Sequence, residues 1–410
     1  MRQVPLHCHG FDTTLAQQRG PRLIACVTPS SSLASQWHAG LNHIVPVIYD
    51  SDLSTVLALQ RAGVTNLIAA HAEQVGRKAK EAMHIGRAVV ADPSLLESGD
   101  VLALEPHRRH AEVLMRQSDQ HHTVFLTNRC NSRCLMCSQP PTDVDDSWRS
   151  DEAIEVIRHM AWSPQVIGFT GGEPLLLGSA LRHVLMATAD RHPKTLIEVL
   201  TNGRLAADGA YAKDLFAGLP RKFCWMVPLY GHAPFLHDHV VQAQGAFDET
   251  LQGLLNLQRH AQLIQLRVVL IRPVLEILSS LADFIALNLP FVREVALMGC
   301  EPVGLALANR EDCEVDLGEW QDEIRAAVRR LQRGAVPVVL MNTPLCGLSP
   351  DLWPLAHRSI SDWKNTYAPA CEPCQVKREC CGLFAWHERG WAPNVLHPVR
   401  RPFHQSETTA

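Results

Sequence analysis

The chain has 410 residues, 46% hydrophobic and 20% charged, which is enough apolar material for a substantial core and excludes bulk disorder. Its formal charge of −4 supplies no global basic field, so a nucleic-acid partner is not expected. No apolar run reaches the about 18 residues of a membrane span, and Met1-Arg2-Gln3-Val4-Pro5 opens no apolar signal core. A cytoplasmic location without a membrane partner is therefore expected.

Residues 1–118 read as a small N-terminal α/β or mostly-β domain. Strands are expected at 45–49 and 66–70, a helix at 53–62, and a hairpin from 101–104 and 112–115 around Glu105-Pro106-His107-Arg108-Arg109. The role of this domain is not legible from its residues.

From 119 to 342 the pattern alternates. Strands are expected at 123–126, 166–170, 196–200, 224–229, 266–271, 295–298 and 336–341. Helices are marked by Ile154, Ile157 and Met160, by Leu181, Val184 and Leu185, by Leu251, Leu254, Leu255 and Leu257, and by the stretch 320–331. Repeated β-then-α units predict a parallel sheet. Six or seven of them suggest a partial or full (β/α) barrel with its site at the C-terminal ends of the strands. Residues 343–388 form an irregular Cys-rich extension, and 389–410 a tail.

Thirteen cysteines, an odd number gathered in two clusters, favour metal ligation over a disulfide framework. Cys130, Cys134 and Cys137 have CxxxCxxC spacing at the end of the first strand of the alternating region. Such soft thiolates hold an iron–sulfur cluster or zinc, and a 4Fe–4S cube with three protein ligands keeps one iron open. Gly171-Gly172-Glu173-Pro174 follows the next strand. Its glycines allow close backbone approach to a ligand, and its turn can hydrogen-bond an amino group.

Cys346, Cys371, Cys374 and Cys380 make a second four-thiolate set, with Cys381 as a spare and Lys377 and Arg378 able to offset negative charge. Zinc and a second iron–sulfur cluster both accept four thiolates. Cys8, Cys26, Cys224, Cys300 and Cys313 lack partner spacing and read as small buried hydrophobes. His7-Cys8-His9 and His121-His122 read as surface histidines, and His237-Asp238-His239 as a candidate substrate contact.

The CxxxCxxC run and the Gly171–Pro174 turn, on consecutive strands, resemble the radical S-adenosylmethionine (SAM) superfamily. The resemblance implies a partial (β/α)6 radical SAM barrel flanked by the small N-terminal domain and the Cys-rich C-terminal extension. It implies that Cys130, Cys134 and Cys137 ligate a 4Fe–4S cluster whose open iron chelates SAM. Gly171, Gly172, Glu173 and Pro174 would meet the SAM amino group, largely through backbone carbonyls. Asn202, in Thr201-Asn202-Gly203, would be a polar cofactor contact, and Met136 stands where many members carry an aromatic near the adenine. Tyr230-Gly231 and Glu301-Pro302-Val303-Gly304 match more weakly. Electron transfer into SAM would release a 5′-deoxyadenosyl radical that takes hydrogen from a substrate. An electron donor such as flavodoxin or ferredoxin is implied. Because many radical maturases carry Cys-rich C-terminal extensions, the second set is read as iron–sulfur before zinc.

Within the superfamily the chain most resembles the His-Xaa-Ser system radical maturase, over 98–386. The match is carried by residues 130–141, 297–304, 359–365 and the terminal cysteines. This implies a ribosomally synthesised precursor peptide as substrate. It also implies companion maturation proteins, typically including a second radical SAM maturase. Two other classes stay open: a radical SAM enzyme modifying a nucleotide or RNA, and a non-catalytic iron–sulfur or zinc interaction protein. The last would leave Gly171–Pro174 unexplained. No general acid, base or radical-quenching residue is legible.

Overall fold

The computed structural model describes residues 2–9, 22–28, 47–48, 66–69, 86–90, 92–105, 108–220, 223–387, 390–393 and 396–400. The helix expected at 53–62, the tail from 401 onward and the side chains of His7, Cys8 and His9 lie outside the described residues. The chain divides into two compact units, one of 1–126, 146–169 and 180–197, the other of 127–145, 170–179 and 198–410.

Among the described residues, the first unit up to residue 115 has seven strands: β1 (Arg2–His9), β2 (Leu23–Thr28), β3 (Val47–Ile48), β4 (Asn66–Ala69), β5 (Gly86–Val90), β6 (Val101–Glu105) and β7 (His110–Met115). They close into a barrel in the order β1-β5-β4-β3-β2-β6-β7. Strands β2 to β5 pair in parallel, and β1 completes the ring antiparallel to both β5 and β7. The expected hairpin is β6–β7, with a register shift between Val101 and Leu102. Val101, Leu102, Ala103 and Leu104 are all fully buried, as a strand covered on both faces requires.

Two arginines organise this unit. Beyond the end of the hairpin, Arg116 donates from Nε and Nη2 to the Asp100 carboxylate at 2.9 and 2.6 Å, and from Nη2 to the Leu95 carbonyl at 2.7 Å. Arg22 donates to Glu112 at 2.5 Å and grips Glu152 with a fork of 2.7 and 2.5 Å, which ties β2 to helix α1 (Trp148–His159).

The alternating region forms a seven-stranded sheet of β8 (Thr123–Phe125), β9 (Val166–Thr170), β10 (Leu196–Leu200), β11 (Phe223–Pro228), β12 (Leu263–Leu270), β13 (Glu294–Gly299) and β14 (Val338–Met341). They run in sequence order from β8 to β14, as the α/β reading expects, with β11 to β14 in parallel register. The expected helices are α1, α2 (Ser179–Arg191), α5 (Ala246–Arg259) and α7 (Gln321–Arg333). Three more of eight residues or longer, α3 (Gly209–Phe216), α4 (Pro234–Val241) and α6 (Leu278–Asn288), were not anticipated. The first two have only eight residues each, too few to display a repeating apolar stripe. Helix α3 announces itself instead by its cap, Asp208, which accepts from Ala210 and Tyr211 amides at 2.8 and 3.2 Å.

Alternate residues of β11 to β13 face opposite ways. Phe223, Trp225, Val227, Ile264, Leu266, Val268, Val295 and Leu297 are buried, and Trp225 meets Phe216 of α3 edge-on at 4.8 Å. The other, inner face carries Cys224, Met226, Gln265, Arg267, Glu294 and Met298. In the C-terminal extension, β15 (Asn365–Thr366) and β16 (Leu383–Phe384) make a short antiparallel pair. Among the described residues no helix is long and apolar enough to cross a membrane.

The Asp100–Arg116 pair is buried, so Arg116→Ala alone should cost about 3–5 kcal/mol by stranding a carboxylate. Denaturant unfolding should show a much smaller loss for the double variant Asp100→Leu, Arg116→Met, which removes both charges.

Candidate active site

The three cysteines of the first cluster lie on a loop of the second unit with little regular structure, held by hydrogen bonds from several directions. Arg133 and Leu135 amides donate to the Val241 and Val240 carbonyls of α4 at 3.1 and 2.9 Å, and the Cys137 amide donates to Cys134 at 3.0 Å. From the segment after β13, the Leu305 amide donates to the Cys137 carbonyl at 2.8 Å, and Asn309 Nδ2 to Leu135 at 2.9 Å. Gly304 sits at φ +64°, and a side chain there would overlap the Cys137 and Ser138 carbonyl oxygens. Only glycine allows that approach.

The Gly171–Pro174 turn is joined to the same loop. The Gly172 amide donates to the Thr127 carbonyl at 2.6 Å and the Glu173 amide to Arg129 at 2.8 Å. A Cβ on Gly172 would collide with the Arg129 carbonyl. Glu173 is completely buried, and its carboxylate accepts from the Leu175 amide at 2.8 Å, Thr201 Oγ1 at 2.6 Å and the Asn202 amide at 2.6 Å. Burial raises its pKa to about 6 against the pull of these donors and of Arg204.

Asn202 continues the connection, donating from Nδ2 to Asn131 Oδ1 at 2.6 Å and accepting at Oδ1 from the Arg204 amide at 3.1 Å. Arg204 donates to the Asn131 carbonyl, to Ser132 Oγ at 3.0 Å and to Glu249 at 2.6 Å. Sequence reading missed Asn131, Arg204 and Asn309. The only available signal was for Arg204, a cation directly after Thr201-Asn202-Gly203 in a chain whose candidate ligands are cysteines.

Burial and then repulsion from Cys137 and Cys130 push the Cys134 thiol up to about 12. Burial pushes Cys130 to about 11, although Ser132 and Asn131 amides donate toward it, and also raises Cys137. Left to themselves these thiols stay protonated; a bound cation is what would draw out their thiolates. Three soft donors with amides aimed at one of them therefore fit an iron–sulfur cluster. Among the described residues no three His, Cys, Asp or Glu side chains gather as a single metal ion would require.

The weaker candidates divide. Met136 is buried beside Cys137. Tyr230 is buried, and its amide donates to His237 Nδ1 at 3.1 Å while the two rings stack at 5.9 Å. Burial lowers His237 to about 4, so it serves as a neutral acceptor inside the fold. Asp238 accepts from the Gly245 and Phe247 amides at 2.6 and 2.8 Å, capping α5. His237 and Asp238 are thus structural rather than substrate-facing, because the chain folds directly from β11 into α4. Glu301 is ion-paired with Lys364 at 3.1 Å. His122 lies 3.0 Å from the Arg116 carbonyl and packs against Trp162 at 4.8 Å, and it stays partly exposed. Cys224 and Cys313 are buried, whereas Cys26 and Cys300 are only partly so.

In the C-terminal extension Cys346, Cys371, Cys374 and Cys380 line one cavity, together with Tyr367 and Lys377. Leu345 and Gly382 amides donate to Cys380 Sγ at 3.3 and 3.4 Å. Cys381 instead packs with Ile360 and Phe384. Lys377 pairs with Glu372 at 2.7 Å.

Residues 124–275 match the sequence model of the Radical SAM superfamily. This segment is a Radical SAM superfamily domain. Domains of this kind work with a 4Fe–4S cluster and SAM. No curated protein matches the chain. Among solved structures, one described as native anSMEcpe with bound AdoMet and Cp18Cys peptide is 14% identical, with a TM-score of 0.41, covering 53% of this chain and 62% of that one. A radical SAM methyltransferase from Sphaerobacter thermophilus is 15% identical, with a TM-score of 0.41 over 59% of this chain and 73% of its own. The FeFe-hydrogenase maturase HydG from Carboxydothermus hydrogenoformans is 15% identical, with a TM-score of 0.38 over 53% and 52%.

Two outcomes follow from this geometry. Gly172→Ala should reduce iron bound per chain after anaerobic reconstitution to a small fraction of wild type. Gly209→Ala, whose added methyl meets nothing within 4 Å, should leave it unchanged. Folded Glu173 holds its proton more tightly than the unfolded chain does. Its stabilising contribution is therefore complete below pH 4.5 and lost as the pH rises through about 6. Unfolding of wild type measured against Glu173→Gln across this window should show a relative loss of about 2 kcal/mol with rising pH.

Proposed function

We propose that this protein is a radical SAM enzyme acting on a ribosomally synthesised precursor peptide. The observation that carries the enzyme reading is the bonding of the cysteine loop to the Gly171–Pro174 turn and to Asn202 within a segment matching the Radical SAM superfamily. Cys130, Cys134 and Cys137 would hold the 4Fe–4S cluster. When bound, the cluster and SAM supply a 5′-deoxyadenosyl radical that takes a hydrogen atom from substrate. Carbonyls of the Gly171–Pro174 turn would receive the SAM amino group, with Met136 toward the adenine. Glu173 and Asn202 position these elements, and Arg204 offsets negative charge beside Cys134.

The peptide substrate rests on the resemblance of segments 130–141, 297–304 and 359–365 to the His-Xaa-Ser system maturase. On the same reading Cys346, Cys371, Cys374 and Cys380 hold a second iron–sulfur cluster. The partners are then companion maturation proteins, a second radical maturase among them, and a flavodoxin- or ferredoxin-type donor.

Anaerobically reconstituted protein given SAM and dithionite should form 5′-deoxyadenosine. Cys134→Ala should abolish this, while Cys374→Ala retains it. No product from wild type, or retained product in Cys134→Ala, would overturn the enzyme reading. A mass change in a co-expressed precursor peptide supports the substrate class; a change confined to RNA refutes it. For the second cluster, Cys380→Ala should lower total iron and Cys381→Ala should not.

A further inference from the structure

Within the second unit, the chain past the second cysteine set returns to the segment that supports the first. Gly390 and Trp391 lie against the short helix Arg310–Cys313: Arg310 donates to the Gly390 carbonyl, and its guanidinium covers the Trp391 ring at 5.4 Å. The Ala392 amide donates to Glu314 Oε1 at 3.0 Å, and Arg310 pairs with the same carboxylate. A part-exposed ion pair adds little by itself, but this one accompanies the burial of Trp391, which is only 3% exposed. Residues 390–392 form a hook.

A few residues further on, the same stretch walls the second cysteine cavity. Leu396, His397 and Pro398 line it beside Cys346, Cys371, Cys374 and Cys380. The Gln375 amide donates to the Val399 carbonyl at 3.1 Å, and Val399 packs against Leu345, Val376 and Cys380. The chain from Ala392 to His397 can span at most about 18 Å, so there is little slack between the hook and the cavity wall.

On its other side the hook meets the support of the first cysteine loop. The Asp312 and Cys313 amides donate to the Asn309 carbonyl at 3.1 and 3.0 Å, and Asn309 Nδ2 donates to the Leu135 carbonyl at 2.9 Å. The Leu305 amide reaches the Cys137 carbonyl at 2.8 Å. A group bound in the second cavity holds its own wall in one arrangement, the wall fixes the hook, and the hook fixes the segment on which the first loop rests. Coupling of this kind is reciprocal, so whatever steadies the first loop steadies the cavity wall by the same factor.

We propose that residues 390–399 are an interlock, with Arg310 and Glu314 as its positioning residues, through which a cluster in the second cavity steadies the first cysteine loop. This rests on the reading that Cys346, Cys371, Cys374 and Cys380 hold a second iron–sulfur cluster. The test is amide hydrogen exchange, read by mass spectrometry on the anaerobically reconstituted full chain, with bound iron counted in the same samples. The paired variant Cys371→Ala, Cys374→Ala leaves the first three cysteines in place, yet exchange at 130–138 and 302–314 should rise at least about three-fold. Glu314→Ala should raise exchange at the same two segments and at 371–381 by a similar factor, while 223–228 in the sheet stays as in wild type. Glu314→Gln keeps an acceptor for the Ala392 amide and should stay within about two-fold of wild type. Adding Glu314→Ala to the cysteine pair should raise exchange no further, because both act on one connection. The interlock is overturned, with the second cluster left standing, by unchanged exchange at 130–138 despite lost iron or by additive effects in the combined variant. Glu314→Gln as loose as Glu314→Ala, or exchange at 223–228 rising equally, would overturn it too. Iron content undiminished by the cysteine pair would sink the second cluster, and the interlock with it.

Discussion

One buried carboxylate determines how the candidate site is assembled. Glu173 accepts from its own turn, from Thr201 and from Asn202, and Asn202 passes the connection on to Asn131 in the cysteine loop. Three chain segments far apart in sequence are thereby fixed to one another by two side chains, Glu173 and Asn202. The residue type follows from this position. The group must be an acceptor at both oxygens, must reach from the turn to the next strand, and must hold three donors that would otherwise be buried without partners. Its elevated pKa records what burial costs the charged form.

Much of the second unit was readable because its elements obey local rules. Each strand is a short apolar run closed by a turn residue, and Asp208 shows that even a short helix can be signalled by its cap. The barrel of the first unit was not readable. Its closure depends on β1 pairing with β5 on one side and β7 on the other, across separations of roughly a hundred residues that no local periodicity encodes. The site shows the same division. Cysteine spacing and the glycine pair are local signals. The clamps made by Arg204, Asn131 and Asn309 exist only after the chain has folded back on itself. His237 misled for a related reason, since following a strand end says nothing about which way the next turn bends.

The two cysteine sets are held differently. The first occupies a loop fastened from outside by α4, the segment after β13 and the Thr201–Arg204 turn. The second lines a cavity within an irregular extension, where two backbone amides already point at Cys380. In the first, burial holds the thiols protonated, so ligand charge would come from whatever binds there; in the second, hydrogen bonds from Cys381 and from the Gly382 and Leu345 amides lower the Cys380 thiol to about 6.

The ring formed by β1 to β7 limits how an extended chain could be recruited. Among the described residues the seven strands pair in a circle, so the ring has no end strand onto which an eighth ribbon could zip. The seven-stranded sheet, by contrast, ends at β8 and β14, and on the outer side of β14 the chain itself returns, Ala356 bridging Leu340 and the His357 amide donating to the Leu340 carbonyl at 2.8 Å.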